Sequence, residues 1–327
     1  MQCFIEKVSW KKWFELGFLV IGGCFSCGDL VSDIMLANDY RKTGDNWWFG
    51  VTVMVLFISH VLMICMVCTD KQLAVSSREI PLYVLFPRFV PFYKECKCWI
   101  QRYCTRTDYP CKNSANKQKN CRCTNCQKRR HDTKELNKSA YYYARLNHIE
   151  KITECAPQWC LQAYIMSHQS SVSCLTVLKM ILGVFTLAWS NTDLEKTRAV
   201  KEERTSDFTT KKQIWFFLYQ LVNMPSRLFS IVVVAYAFHE WVFVILAGHW
   251  SMCLRLLHHL HKDKNKFFKK CLYPSFIFIF TLTGHSFLFP SAKDKNRSAI
   301  DLERRKIFLW LHGLILLENI ILTVVVV

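Results

Sequence analysis

Turn-forming residues are scarce in this 327-residue chain, which has 10 glycines and 8 prolines. That is too few for a fibrous or low-complexity polymer. Acids are scarce beside bases, 25 against 43 Lys and Arg, leaving a formal charge of +18. Catalytic signatures are missing too. Neither G-x-S-x-G, G-x-x-x-x-G-K-[ST] nor H-E-x-x-H occurs, so no enzyme chemistry and no cofactor is expected. A cleavable leader is also lacking: the first apolar run opens inside Lys11-Lys12-Trp13-Phe14, carries two aspartates and offers no small-residue cleavage site. Above all, residues 47–68 contain no charge over the length that spans about 30 Å of hydrocarbon.

What is present is apolar residue in solid blocks, 51% of the chain in all. A soluble fold would distribute them at period 2 or 3.6 among polar residues. Eight largely apolar segments stand out, at about 14–37, 47–69, 141–167, 171–190, 213–237, 241–260, 271–290 and 307–327. Runs such as Ile231-Val232-Val233-Val234 do not alternate, which excludes a β-barrel. The fold class is therefore an all-α polytopic membrane protein of about eight membrane segments.

With the N-terminus placed in the cytosol, the inner connections hold 30 Lys and Arg and the outer ones 8, six of these in 291–306. Positive loops stay inside, so the N-terminus is expected to be cytosolic. The six are largely offset by Asp294, Asp301 and Glu303, unless the 271–290 segment is re-entrant. The longest polar stretch, 94–138, has seven cysteines and thirteen basic residues and reads as a cytosolic, solvated loop. Cys121, Cys123 and Cys126 could offer zinc thiolates, but no second pair or histidine completes a finger, and no metal is assigned. Reduced thiols beside many cations equally suit an anionic-lipid patch or palmitoylation.

Ionisable residues inside the apolar segments carry the most information, since each costs about 2.5–3.5 kcal/mol at a helix centre unless it faces protein or water. Asp29 and Asp33 are four apart and share a face of the first helix. Glu150, Glu154, Gln158 and Gln162 recur every fourth residue, drawing a polar stripe about 18 Å long. Pro157 falls in its middle and predicts a bend, or two half-helices dipping into the bilayer. Arg198 and Arg227 are the opposing cations expected. Either the charges pair to fix helix register, or they form a polar path across the membrane. A full stripe of acids and amides exceeds what register requires and favours the path.

Several motifs, in order, resemble those of one family. They are Gly28-Asp29-Leu30-Val31-Ser32-Asp33, Trp47-Trp48-Phe49-Gly50, Glu154-Cys155-Ala156-Pro157-Gln158-Trp159-Cys160-Leu161-Gln162, Leu187-Ala188-Trp189-Ser190 with Arg198 after it, Ser226-Arg227-Leu228, Gly248-His249-Trp250 and Leu317-Glu318-Asn319. The set resembles the XK-related membrane proteins, which include apoptotic phospholipid scramblases, and spans nearly the whole chain. The resemblance implies a single transmembrane domain over 1–327, two pseudo-symmetric repeats and re-entrant half-helices around Ala156-Pro157-Gln158. It also implies a lipid track, carried onto Asp29, Asp33, Glu150, Glu154, Gln158, Arg198 and Arg227, along which headgroups pass while phosphatidylserine is exposed at the plasma membrane of dying cells. Partners implied are phospholipids, a single-pass membrane subunit and a second copy of the chain; nucleic acid is not among them.

The chain departs from the family in having no Asp-x-x-Asp for caspase cleavage and in ending on Val324-Val325-Val326-Val327 within an apolar run. It reads as a fragment, a short isoform or a member regulated otherwise. Two alternatives to scrambling come from other classes. One is a non-scrambling scaffold or interaction subunit whose buried charges are structural; the other is a secondary transporter, for which the stripe is too long.

Overall fold

The computed structural model describes residues 10–69, 89–103, 124–168, 174–202 and 208–239, with isolated positions beside them. The described residues form six long helices: α1 (Trp10–Thr43), α2 (Asn46–Thr69), α3 (Phe89–Tyr103), α4 (Thr124–His168), α5 (Cys174–Lys201) and α6 (Thr210–Phe238). α1 and α2 reverse through one tight connection. Gly44 takes φ 81°, its N–H donates to the Arg41 carbonyl and the Asp45 N–H donates to the Tyr40 carbonyl at 2.9 Å. These bonds satisfy the last carbonyls of α1, and the left-handed turn would cost an L side chain about 1–2 kcal/mol.

The arrangement of polarity is the reverse of a soluble protein's. Large apolar side chains face outward, among them Ile34, Phe57, Val222 and Phe229, whereas Asp29, Asp33, Glu150, Glu154 and Arg227 are buried. In water that surface would be unstable; in hydrocarbon it is the favoured one. Among the described residues, four helices are long and apolar enough to cross a membrane, over Glu15–Thr43, Asn46–Cys65, Cys174–Lys201 and Thr210–Phe238. These overlap the expected segments 14–37, 47–69, 171–190 and 213–237.

The expected segment 141–167 is helical but belongs to α4, too polar to qualify as a fifth. It occupies the middle of the bundle, against α2, α3, α5 and α6. Its apolar side builds the main core, where Ile152, Cys155, Ala156 and Trp159 pack on Leu187 of α5 and on Met224, Leu228 and Val232 of α6. A second cluster joins Met63 and Val67 of α2, Val90 of α3, and Leu146 and Ile149 of α4. Segments 271–290 and 307–327, the connection 291–306 and most of 241–260 lie outside the described residues.

Two expectations are corrected. Pro157 does not split its helix: α4 runs unbroken for 45 residues, about 68 Å at 1.5 Å per residue. The half-helices expected around Ala156-Pro157-Gln158 are therefore one continuous helix. Proline is tolerated inside a helix when packed neighbours surround the freed carbonyl, and Thr153, four residues back, is buried against Ser59 of α2 with their hydroxyls 3.0 Å apart. The stretch 94–138 is likewise not a loop at its ends, since 94–103 belong to α3 and 124–138 open α4. Residues 104–123, with most of the cysteines, lie outside the described residues. Of those within them, Cys96 is half-buried and its thiol is pushed up to about 11, by burial first and then by Glu95.

Candidate functional site: a buried ionic cluster

α1 presents Asp29 and Asp33 one turn apart, and α4 presents Glu150, Glu154, Gln158 and Gln162 on one stripe, each side chain at most 2% exposed. The two helices face each other across this stripe. One carboxylate oxygen each from Asp29, Asp33 and Glu154 lies within 4.8 Å of the others. Such proximity costs heavily unless cations intervene.

Cations do intervene, and they come from the chain. Lys179 of α5 is 4% exposed and ion-pairs with Asp33 while its ammonium also donates to the Gln158 amide oxygen. Lys151 of α4 is 1% exposed and lies 3.8 Å from Asp29 Oδ2 and 3.5 Å from Glu150 Oε1. The Cys155 thiol donates to Asp29 Oδ2 at 3.1 Å, and the Ser32 hydroxyl turns back to the Asp29 carbonyl. The three-carboxylate group is compact enough for a divalent cation by its donor chemistry. Its charge is nevertheless partly met by the two ammonium groups, which stand where a bound cation's charge would act.

The structure thus brings together Asp29, Asp33, Glu150, Glu154 and Gln158, five of the seven residues expected on one track. Arg198 stands apart. It sits in the last turns of α5 and pairs on its own helix with Glu202 at 3.1 Å and Glu195 at 3.9 Å. Arg227 is fully buried on α6, with Cys160 of α4 within its electrostatic reach. Of the two cations expected opposite the acids, Arg198 is placed at the end of α5 beside Glu195 and Glu202, and the cations paired with Asp29 and Asp33 are lysines.

Those lysines were missed in the sequence, although the signal was available. Lys151 abuts Glu150, and Lys179 is the lone cation in an otherwise apolar segment, so the rule that singled out the acids applies to it equally. On α6, Gln213, Gln220 and Arg227 are spaced seven apart, and all three are buried. Asn191 and Thr192 of α5 are fully buried, and His148 Nδ1 of α4 lies 3.3 Å from the Ser190 hydroxyl of α5. The polar interior consequently extends through α5 and α6 as well as α1 and α4.

Against this geometry stands one comparison. Residues 17–327 match the family described as XK-related protein, so the match includes every residue of the cluster.

Proposed function

The chain belongs to the XK-related protein family, and from that premise we propose that it is a phospholipid scramblase. In this reading it passes lipid headgroups between leaflets along the interior charged stripe while acyl chains stay in the bilayer. The reading makes and breaks no covalent bond. One observation carries it: acids, amides and lysines from α1, α4 and α5 form a continuous buried ionic layer behind an apolar exterior. Desolvation of the headgroup is the main barrier to flipping, and such a layer substitutes for its water.

In the arrangement described, the layer is closed and its charges pair with one another. The same pairs suit exchange. A zwitterionic or anionic headgroup offers a phosphate to Lys151 or Lys179 and an ammonium to Asp29, Asp33 or Glu154, so each internal partner given up is replaced by a lipid one. Phosphatidylserine exposure at the plasma membrane of dying cells follows within this proposal, with a single-pass subunit or a second copy as its partner. The internal pairing also favours a second reading, a membrane scaffold whose ion pairs only hold helices together.

Scrambling in proteoliposomes separates the two. Labelled lipid is bleached by dithionite in both leaflets if the protein scrambles, and in the outer leaflet alone if it does not. The variant Asp33→Leu/Lys179→Met removes a whole pair and leaves the net charge of the cluster unchanged. Scrambling by the parent protein that is lost in a folded variant supports the track. Equal scrambling by both overturns it, and a folded parent protein that bleaches only the outer leaflet supports the scaffold.

A further inference from the structure

Away from the ionic cluster, towards the end of the bundle that carries the N-terminus of α1, the helices α1, α3, α4 and α5 enclose a partly open cavity of about 80 Å³. One water needs only about 10–15 Å³. Its walls combine two chemistries. Phe92 and Trp99 of α3 and Trp189 of α5 supply aromatic surface, while Glu15 of α1, Glu95 of α3 and Asp193 of α5 supply carboxyl groups. Lys196 is the cation among the lining residues. Asp193 and Glu95 are close neighbours across the α3–α5 wall. Three carboxyl groups against one ammonium make the polar part of the lining predominantly acidic.

Two glycines keep the aromatic walls against α1. A Cβ on Gly22 would lie 2.7 Å from Trp189 Nε1, and one on Gly23 would lie 2.6 Å from the Phe92 ring. Any larger residue would push these rings aside. Trp189 is further held by edge contacts to Phe25 and Phe217, with centroids 5.9 and 5.6 Å away.

We propose that this cavity binds a substituted ammonium group. A bare metal ion seeks oxygen ligands on all sides, which indole and phenyl faces do not supply. An anion would be repelled by the acids, and a neutral apolar ligand would gain nothing from them. An ammonium bearing methyl or methylene groups gains from both walls, charge against the carboxylates and polarised C–H groups against the rings. The group could arrive on a lipid headgroup or on a small soluble amine. The proposal stands independently of lipid scrambling, since it is read by binding alone.

The test is calorimetric titration of the protein in nanodiscs of phosphatidylglycerol, whose headgroup has no ammonium. The probes are choline and its neutral isostere 3,3-dimethylbutan-1-ol. Saturable binding of choline and not of the alcohol is expected. Glu15→Gln, which leaves the Glu95–Asp193 pair intact, and Gly22→Ala, which displaces Trp189, should each weaken choline about tenfold. Gly17→Ala, with nothing within 4 Å of the new Cβ, should leave it unchanged. Equal binding of choline and the alcohol, no saturable heat for choline, or unaltered affinity in both test variants overturns the proposal. Repeating the titration with phosphatidylcholine in the nanodisc identifies the source. A weakened choline isotherm means lipid headgroups reach the cavity, and an unshifted one means soluble amines alone do.

Discussion

At the scale of single residues, the buried lysines decide how the acids behave. Lys179 and Asp33 are almost wholly enclosed and pair directly. Removing one member therefore leaves an uncompensated charge in a dry interior, typically a loss of about 3–5 kcal/mol, whereas replacing both by apolar groups of similar volume is often near neutral. Lys179→Met and Asp33→Leu should each lower the melting temperature of the purified protein strongly, and the double variant should recover most of that loss. Additive losses in the double-mutant cycle would mean that the two side chains are not energetically coupled. The acids themselves were legible in the sequence, because a carboxylate in an apolar run has few explanations. Lys151 and Lys179 were equally legible by that rule, but which cation meets which acid depends on helix packing that spacing does not give. Arg198 lies close enough to Glu195 and Glu202 along its own helix to be satisfied there, an i, i+3 and i, i+4 solution that spacing alone would have revealed.

At the scale of elements, α4 shows why a helix-breaking residue need not break a helix. Spacing correctly placed Glu150, Glu154, Gln158 and Gln162 on one face, and the structure puts that face inward. The inference from Pro157 to two half-helices failed because the cost of proline depends on the surroundings: α4 is packed on four sides, and the helix is retained across the missing bond. The lost N–H still leaves the Thr153 carbonyl without its intrahelical donor, so Pro157 remains the weakest point of the helix. Pro157→Ala should restore that bond and raise the melting temperature, the stabilisation reaching about 3 kcal/mol if the whole proline penalty is recovered. A lowered melting temperature would show instead that the ring itself packs productively. If a bend at Pro157 takes part in opening the stripe, the same variant should scramble lipid more slowly despite its greater stability. The cysteine-rich stretch teaches a similar lesson. Composition made 94–138 a loop, but α3 covers an apolar seam between α2 and α4 with Val90, and packing outweighs its many cations.

For the whole molecule, the organising fact is the inversion of polarity, with apolar side chains outside and ionic groups inside. The lengths of the apolar blocks predicted membrane helices, and four described helices qualify. Length and hydropathy could not anticipate that the most polar of the long helices would be the central one. A helix shielded by its neighbours need not be apolar, and α4 can carry its charges because α1, α2, α5 and α6 face the lipid in its place. The claim is testable on the outer surface, away from the cluster. Phe57 lies mid-way along α2 and is 66% exposed, so lipid is its expected neighbour. An arginine there must be carried into hydrocarbon with no protein partner, at about 2.5–3.5 kcal/mol on insertion scales, whereas leucine costs nothing comparable. Phe57→Arg should therefore reduce the membrane-inserted fraction of α2 in a glycosylation-mapping assay while Phe57→Leu leaves it unchanged. Equal insertion of both variants would mean that this face of α2 meets another polypeptide or water, and that the apolar exterior is an assembly surface rather than a lipid-facing one.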